Sequence, residues 1–174
     1  MTQDEALRVL KTGANVFLTG EPGSGKTYTI NRYIRYLREH GIEPAITAST
    51  GIAATHVGGM TIHSWSGIGV RDYLSEYDVE AISENKNVRR RAKDTHVLII
   101  DEVSMLSGSV LLMVDQVLRA VKGVATPFGG LQVILVGDFF QLPPIMKRTA
   151  FACSEYEESQ ESPFAFSSSA WRDL

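Results

Sequence analysis

Apolar positions along the chain change period several times, and each change predicts an element. Between Asp4 and Lys11, the residues Ala6, Leu7 and Leu10 share one helical face, and Gly13 ends the pattern. Val16-Phe17-Leu18 is a short unbroken apolar run, the mark of a strand buried on both faces. Beyond a glycine-rich stretch, Ile30, Tyr33, Ile34 and Leu37 recur at i, i+3, i+4 and i+7, with Arg32, Arg35 and Arg38 largely opposite and Gly41 as the stop. That spacing predicts an amphipathic helix. Ala45-Ile46-Thr47-Ala48 and Val97-Leu98-Ile99-Ile100 read as a second and a third strand. Val110, Val114, Val117, Leu118 and Val121 trace a helix closed by Gly123, and Val133-Ile134-Leu135-Val136 reads as a fourth buried strand. Residues 51–96 hold no sustained period and carry five glycines from Gly51 to Gly69, so loops and short helices are expected there. Strands alternating with helices make an α/β layout with a parallel sheet, whose ligands bind beyond the carboxyl ends of the strands. Residues 152–170 are rich in Ser and Glu and read as an acidic loop or tail, pinned by Phe164, Phe166 and Trp171.

Composition narrows this picture. At 174 residues the chain has the length of one domain, and 44% hydrophobic against 21% charged residues is enough apolar material for a core. A formal charge of -3, from 17 Lys plus Arg against 20 Asp plus Glu, gives no global basic field, so any contact with nucleic acid must be local. The single cysteine, Cys153, excludes an internal disulfide and a Cys-rich zinc site. No apolar run reaches about 18 residues, and Met1 is followed by the polar Thr2-Gln3-Asp4-Glu5 rather than a signal peptide. A soluble intracellular domain without a membrane partner is expected.

The chemistry begins at Gly20-Glu21-Pro22-Gly23-Ser24-Gly25-Lys26-Thr27, which fits G-x-x-x-x-G-K-[ST] at every fixed position and lies between a buried strand and an amphipathic helix. Gly20, Gly23, Ser24 and Gly25 let backbone N–H groups curl round phosphate oxygens, and the helix N-terminus adds its partial positive charge. Lys26 reaches the β and γ phosphates, while the Thr27 hydroxyl ligates Mg²⁺. A glycine-rich turn is the plain alternative, but chance gives this string in under about 1% of chains this long. The third strand then delivers Asp101 and Glu102 at its carboxyl end: Asp101 suits the Mg²⁺ shell, and Glu102 can polarise an attacking water. Following the fourth strand, Gly137-Asp138-Phe139-Phe140-Gln141-Leu142-Pro143-Pro144 places the Gln141 amide where it either reports the γ phosphate or is simply satisfied by loop backbone.

In order, these strings resemble the superfamily-one DNA helicases of the petite-integration-frequency (Pif) type, with RecD-like helicases as relatives. The resemblance also takes in Ser49-Thr50-Gly51-Ile52-Ala53-Ala54, Thr61-Ile62-His63-Ser64, Val103-Ser104-Met105-Leu106, Pro127-Phe128-Gly129-Gly130 and residues 166–171. It implies a three-layer RecA-like P-loop NTPase domain and an ATP-driven motor that walks 5′ to 3′ on single-stranded DNA. Such motors open duplexes, G-quadruplexes or RNA–DNA hybrids in repair, recombination or replication. By resemblance, Lys26 and Thr27 bind ATP and Mg²⁺, Asp101 and Glu102 support hydrolysis, and Gln141 couples γ-phosphate state to DNA. Gln3 stands where an adenine-reading glutamine belongs, or is a solvated polar residue. Two departures stand out: the loop carries Glu21-Pro22 and ends in Thr27 rather than a small pair and Ser, and Arg91 is followed by Ala92 where an aromatic often stands.

For DNA, Thr50, Gly51, Thr61, His63 and Ser64 offer hydroxyls, an imidazole and backbone N–H groups that track phosphates without reading bases. Trp65 either stacks a base or plugs the core. Arg89, Arg90, Arg91 and Lys93 form the one dense basic cluster, a solvated helix face or a contact for DNA or a partner. The competing functions are a P-loop phosphotransferase and a non-catalytic ATP-binding switch. The Pif-type pattern requires a second motor domain whose arginines complete the ATP site. No later motif follows here, so the first motor domain alone, a monomer of little activity, is expected. Because Met1 lies so close to Gln3, a bacterial or phage source and a cytoplasmic location are expected, or a nuclear or mitochondrial one in a eukaryote.

Overall fold

A computed structural model describes residues 1–141 and 164–174. Cys153, Leu142, Pro143 and Pro144 lie outside the described residues, as do residues 152–163 of the expected tail. Five strands form one sheet: β1 (Val16–Leu18), β2 (Ala45–Ala48), β3 (Met60–Thr61), β4 (Val97–Asp101) and β5 (Gln132–Val136), in the order β1-β5-β4-β2-β3. Every neighbouring pair is parallel, with Leu18 beside Val136, Ile100 beside Leu135, and Ala48 beside both Asp101 and Thr61. All carboxyl ends therefore open on one edge of the sheet, the edge at which ligands enter open α/β folds.

Eight α-helices accompany the sheet among the described residues: α1 (Gln3–Leu10), α2 (Lys26–Glu39), α3 (Gly51–His56), α4 (Ile62–Ser66), α5 (Glu76–Glu84), α6 (Lys86–Asp94), α7 (Gly108–Lys122) and α8 (Ser169–Arg172). Successive strand residues point to opposite faces, and the core divides accordingly. Val97, Ile99, Ile134 and Val136 meet Leu7 and Leu10 of α1 and Ile30, Tyr33, Ile34 and Leu37 of α2. Leu98, Ile100, Val133 and Leu135 meet α4 to α8, with Leu111, Val114, Val117 and Leu118 of α7 at the centre. The result is three layers with two apolar interfaces, as the uninterrupted apolar strands require.

Four of the five strands match the sequence expectation. The exception, β3, is two residues long at the sheet edge, too short to show a period. Gly59 just before it explains how so short a strand docks: a Cβ there would lie 2.1 Å from the Ile46 carbonyl oxygen, so only glycine permits the approach. The C-terminal pins also hold. From Phe164 onward the chain makes a bridge to Ser107, a 3₁₀ turn and α8, and buries Ala165 and Ala170, so residues 164–170 are packed structure rather than a free tail.

The Pro127-Phe128-Gly129-Gly130 string is a clasp on α7. Phe128 is fully buried, and its N–H donates to Asp115 Oδ1 at 2.6 Å. Asp115, only 3% exposed, also accepts from Arg119 Nε at 2.8 Å, and Arg119 reaches on to the Ala125 carbonyl. Asp115→Ala strands the Phe128 N–H in the core and the Arg119 guanidinium beside it. We expect a loss of about 2–4 kcal/mol in urea unfolding, below the figure for a wholly buried pair because Arg119 is partly in water.

Candidate functional site

The phosphate loop leaves β1 and turns directly into α2. Its last glycine, Gly25, is the N-cap of α2 at φ +87°, and no side chain caps the helix or adds an acidic group to its first turn. By contrast, α1, α5 and α7 are capped by Thr2, Ser75 and Ser107. The free N–H groups and dipole of α2 thus face the loop, as anion binding requires. Lys26 Nζ lies across the loop and donates to the Gly20 carbonyl at 2.6 Å and to that of Glu21 at 3.2 Å. Gln3 reaches the same loop: its Nε2 donates to the Ser24 carbonyl at 3.3 Å, and a Cβ on Gly25 would lie 2.1 Å from that nitrogen. Asp4 holds α1 in place by pairing with Arg32 of α2 at 2.6 Å.

Asp101 ends β4, and its Oδ1 accepts the Glu102 N–H at 2.9 Å. Glu102 takes the left-handed conformation, φ +53° and ψ +43°, uncommon without glycine and typical of backbone held by its surroundings at working sites. Fully buried Val103 fixes it from below, and Gly137 lets β5 approach: a Cβ there would stand 3.1 Å from the Val103 nitrogen. Burial lifts the Asp101 carboxyl above its usual range, against the pull of the Glu102 N–H and of Lys26. Burial also lifts Glu102, and the Asp101 charge adds to the rise. Lys26 favours the charged forms of Asp101, Glu102 and Asp138 alike, which places the loop lysine and three carboxylates in one electrostatic site. Thr27 and Asp101 line the same small cavity, with Ile30 and Ile34 of α2 on one side and Ile99 and Val136 of the sheet on the other. A hydroxyl, two carboxylates and a cationic loop are a donor set that fits a nucleotide phosphate and a hard divalent cation such as Mg²⁺.

Gln141 stands beside Asp138. Its Nε2 donates to Asp138 Oδ2 at 2.9 Å, while Asp138 Oδ1 accepts the Phe140 N–H at 3.0 Å. These bonds, the one from Gln141 first, hold the Asp138 carboxyl below its usual range. Asp138 orients the amide and was missed as a site residue in the sequence; an acid directly after a buried strand and a glycine was its only signal. Phe139 anchors the loop between Phe17 at 5.4 Å, Phe166 at 4.9 Å and Trp171 at 5.6 Å.

A second group sits at the carboxyl ends of β2 and β3. Thr50 caps α3 through the Ala53 N–H, and Thr61 caps α4 through the Ser64 N–H, each hydroxyl accepting at 3.2 Å and keeping its own hydrogen free to donate. Gly51 and Ser64 are exposed beside them. His63 is half-buried, and burial lowers its pKa, so at neutral pH it offers a neutral ring rather than a cation. Trp65 is a core plug, 5% exposed. Arg91 departs from the basic cluster: it turns inward and donates to the Ser64 and Trp65 carbonyls at 2.5 Å each, fastening α6 to the end of α4.

The two raised carboxylates predict a pH-dependent cost. A carboxyl whose folded pKa exceeds its unfolded one favours the fold below the unfolded pKa, and that advantage is lost as pH rises through the folded pKa. At pH 7 both are ionised at a penalty. Asp101→Asn keeps an oxygen for the Glu102 N–H and removes a charge, so the nucleotide-free protein should melt about 2–4 °C higher at pH 7, with the gain vanishing near pH 4.

A family model described as PIF1-like helicase matches residues 3–171. The ATP-dependent DNA helicase Pif1 of Psychrobacter sp. (strain PRwf-1) is 54% identical over 173 residues, 99% of this chain and 25% of that protein. The crystal structure of Pif1 helicase from Candida albicans superposes with a TM-score of 0.84 at 37% identity, over 98% of this chain and 36% of that one. The Bacteroides Pif1 helicase solved in complex with ADP-AlF3 and ssDNA gives a TM-score of 0.66 at 36% identity, over 84% of this chain and 33% of that one. This chain spans about a quarter of the Psychrobacter protein's length. No described helix is long and apolar enough to cross a membrane. With its phosphate loop, paired carboxylates and Pro-Phe-Gly-Gly clasp all inside the matched residues 3–171, the chain belongs to the PIF1-like helicase family.

Proposed function

We propose that these residues form the ATP-binding motor unit of a 5′ to 3′ DNA helicase, which couples ATP hydrolysis to movement along single-stranded DNA. The observation that carries this reading is the shared sheet edge: a phosphate loop, two carboxylates and an amide beyond β1, β4 and β5, and phosphate-tracking hydroxyls beyond β2 and β3 on the same side. A nucleotide and a strand bound there meet through β4 and β2, whose residues Asp101 and Ala48 are paired. The relative solved with ADP-AlF3 and ssDNA supports the same pair of ligands.

In this reading Lys26 and the uncapped N-terminus of α2 hold the β and γ phosphates, and Gln3 leaves the Ser24 carbonyl to meet the adenine. Thr27 and Asp101 would hold Mg²⁺, which supplies charge neutralisation on the transferred phosphoryl. Glu102 takes the proton of the attacking water, and its raised pKa makes it a stronger base than an exposed glutamate. When the γ phosphate leaves, Gln141 returns to Asp138, and Phe139 passes that movement to Phe166 and Trp171. Thr50, Gly51, Thr61, His63 and Ser64 bind the strand backbone without sequence preference. A second motor domain supplies the arginines that complete the site, the step worth about 10³ to 10⁵ in rate. Duplex and G-quadruplex DNA are the structures such a motor opens, and a monomer suffices for it.

The test is ATPase activity, with and without oligo-dT, of the full-length protein that joins these residues to the second motor domain. A rise with oligo-dT that is abolished by Lys26→Ala is expected. ATPase indifferent to any DNA would leave a nucleotide switch or phosphotransferase in its place.

A further inference from the structure

Among the described residues, the basic cluster is a dense charged feature that the motor reading leaves unused. On α6 the buried Val88 and Ala92 face the core, and Arg91 is bound to α4, yet Lys86, Arg89, Arg90 and Lys93 are all exposed. Their spacing, i, i+3, i+4 and i+7, sets them in one stripe along the outer face of the helix. Among the described residues none of the four forms an ion pair, although the chain as a whole carries three more acids than bases. Four unpaired cations repel one another, and a solvated face would gain from interspersed acids. Glu84 and Asp94 lie only at its two ends.

We propose that this face of α6 is a second DNA contact, which holds the backbone of the duplex portion of a substrate whose single strand lies on α3 and α4. The proposal rests on the motor reading above. Arg91 supplies the link: bonded to the Ser64 and Trp65 carbonyls, it joins the stripe rigidly to the segment that carries Thr61, His63 and Ser64. Lys86 and Lys93 are seven residues apart, about 10 Å along the helix axis. One strand of a duplex presents a phosphate about every 3.4 Å of that length, so three or so phosphates match the four cations. A single strand is the poorer fit. Its sequence-tolerant sites pair cations with aromatic rings that stack the bases, and the exposed side chains of α6 include no ring. A contact made only of Lys and Arg suits a backbone whose bases are already stacked inside a duplex.

The test compares the full chain with its Arg89→Gln, Arg90→Gln, Lys93→Gln variant on oligo-dT and on the same oligo-dT extended into a blunt duplex, over a range of salt. All three positions are exposed, so an unchanged Tm is the control for folding. The parent should bind the tailed duplex more tightly than oligo-dT. The variant should lose that advantage, with the slope of log K against log salt shallower by about 2 to 3 on the tailed duplex and oligo-dT affinity within about twofold of the parent. Equal affinities and slopes for parent and variant on the tailed duplex would overturn the proposal and leave a solvated face. An equal loss on oligo-dT would overturn the duplex assignment. A parent that binds oligo-dT but gains nothing from the duplex sinks this inference alone; one that binds neither sinks the motor reading with it.

Discussion

Lys26→Ala should lower kcat/KM for ATP by about 10³-fold, a loss near 4 kcal/mol of transition-state stabilisation. The size follows from what the ammonium faces. Among the described residues it is the one cation whose charge is felt by Asp101, Glu102 and Asp138 together, and its removal takes from a polyanionic substrate the counter-charge that faces those three carboxylates. Binding should weaken as well, since the lysine acts on ground-state and transition-state phosphates alike. Folding should be almost untouched: the two carbonyls that Lys26 now bonds, on Gly20 and Glu21, belong to a loop that water reaches readily. A titration with a fluorescent ATP analogue, single-turnover hydrolysis and a thermal melt separate these effects. A variant that hydrolyses ATP within tenfold of the parent would remove Lys26 from the site.

That site was largely legible in the sequence because its parts are local. A glycine loop needs its residues contiguous, and a carboxylate pair at the end of an apolar strand shows itself in six letters. What stayed hidden depends on distant residues meeting. Gln3 gave a weak match by position, yet its side chain crosses 21 residues of sequence to reach Ser24. Arg91 read as one more charge in a basic run, and only the fold shows it turned inward to carbonyls 26 and 27 residues away. Asp138 has no signature of its own, since its role is to hold Gln141. In the fold, α2 and α7 announced themselves by period and the longer strands as apolar runs, whereas β3 has two residues and leans on a backbone approach that Gly59 allows. Periodicity reports burial on one face over several residues, and it cannot report an edge strand no longer than a single repeat.

The second large effect belongs to Glu102, whose loss should separate binding from turnover. Glu102→Gln keeps the size of the side chain and the left-handed turn but removes the base, and a positioned general base contributes about 10²- to 10⁴-fold. Hydrolysis should fall by that factor while nucleotide affinity holds or improves, because one of the negative charges facing the triphosphate has gone. The pH profile supplies a second readout. The working form of Glu102 is the carboxylate, and burial together with the Asp101 charge raises its pKa, so the parent's rate should decline on acidification at a pH above that of an ordinary glutamate. In Glu102→Gln that acid limb should vanish. In Asp101→Asn it should move down, since the neighbouring charge that helps to raise Glu102 is removed. Lys26→Ala should move it up, because the lysine favours ionised Glu102. Glu102→Gln therefore removes the limb, and the other two variants displace it in opposite directions, each with its sign fixed by the charge removed. A limb that stays in place in all three would assign the base to another group, and a Glu102→Gln protein with undiminished turnover would deny it a part in the chemistry.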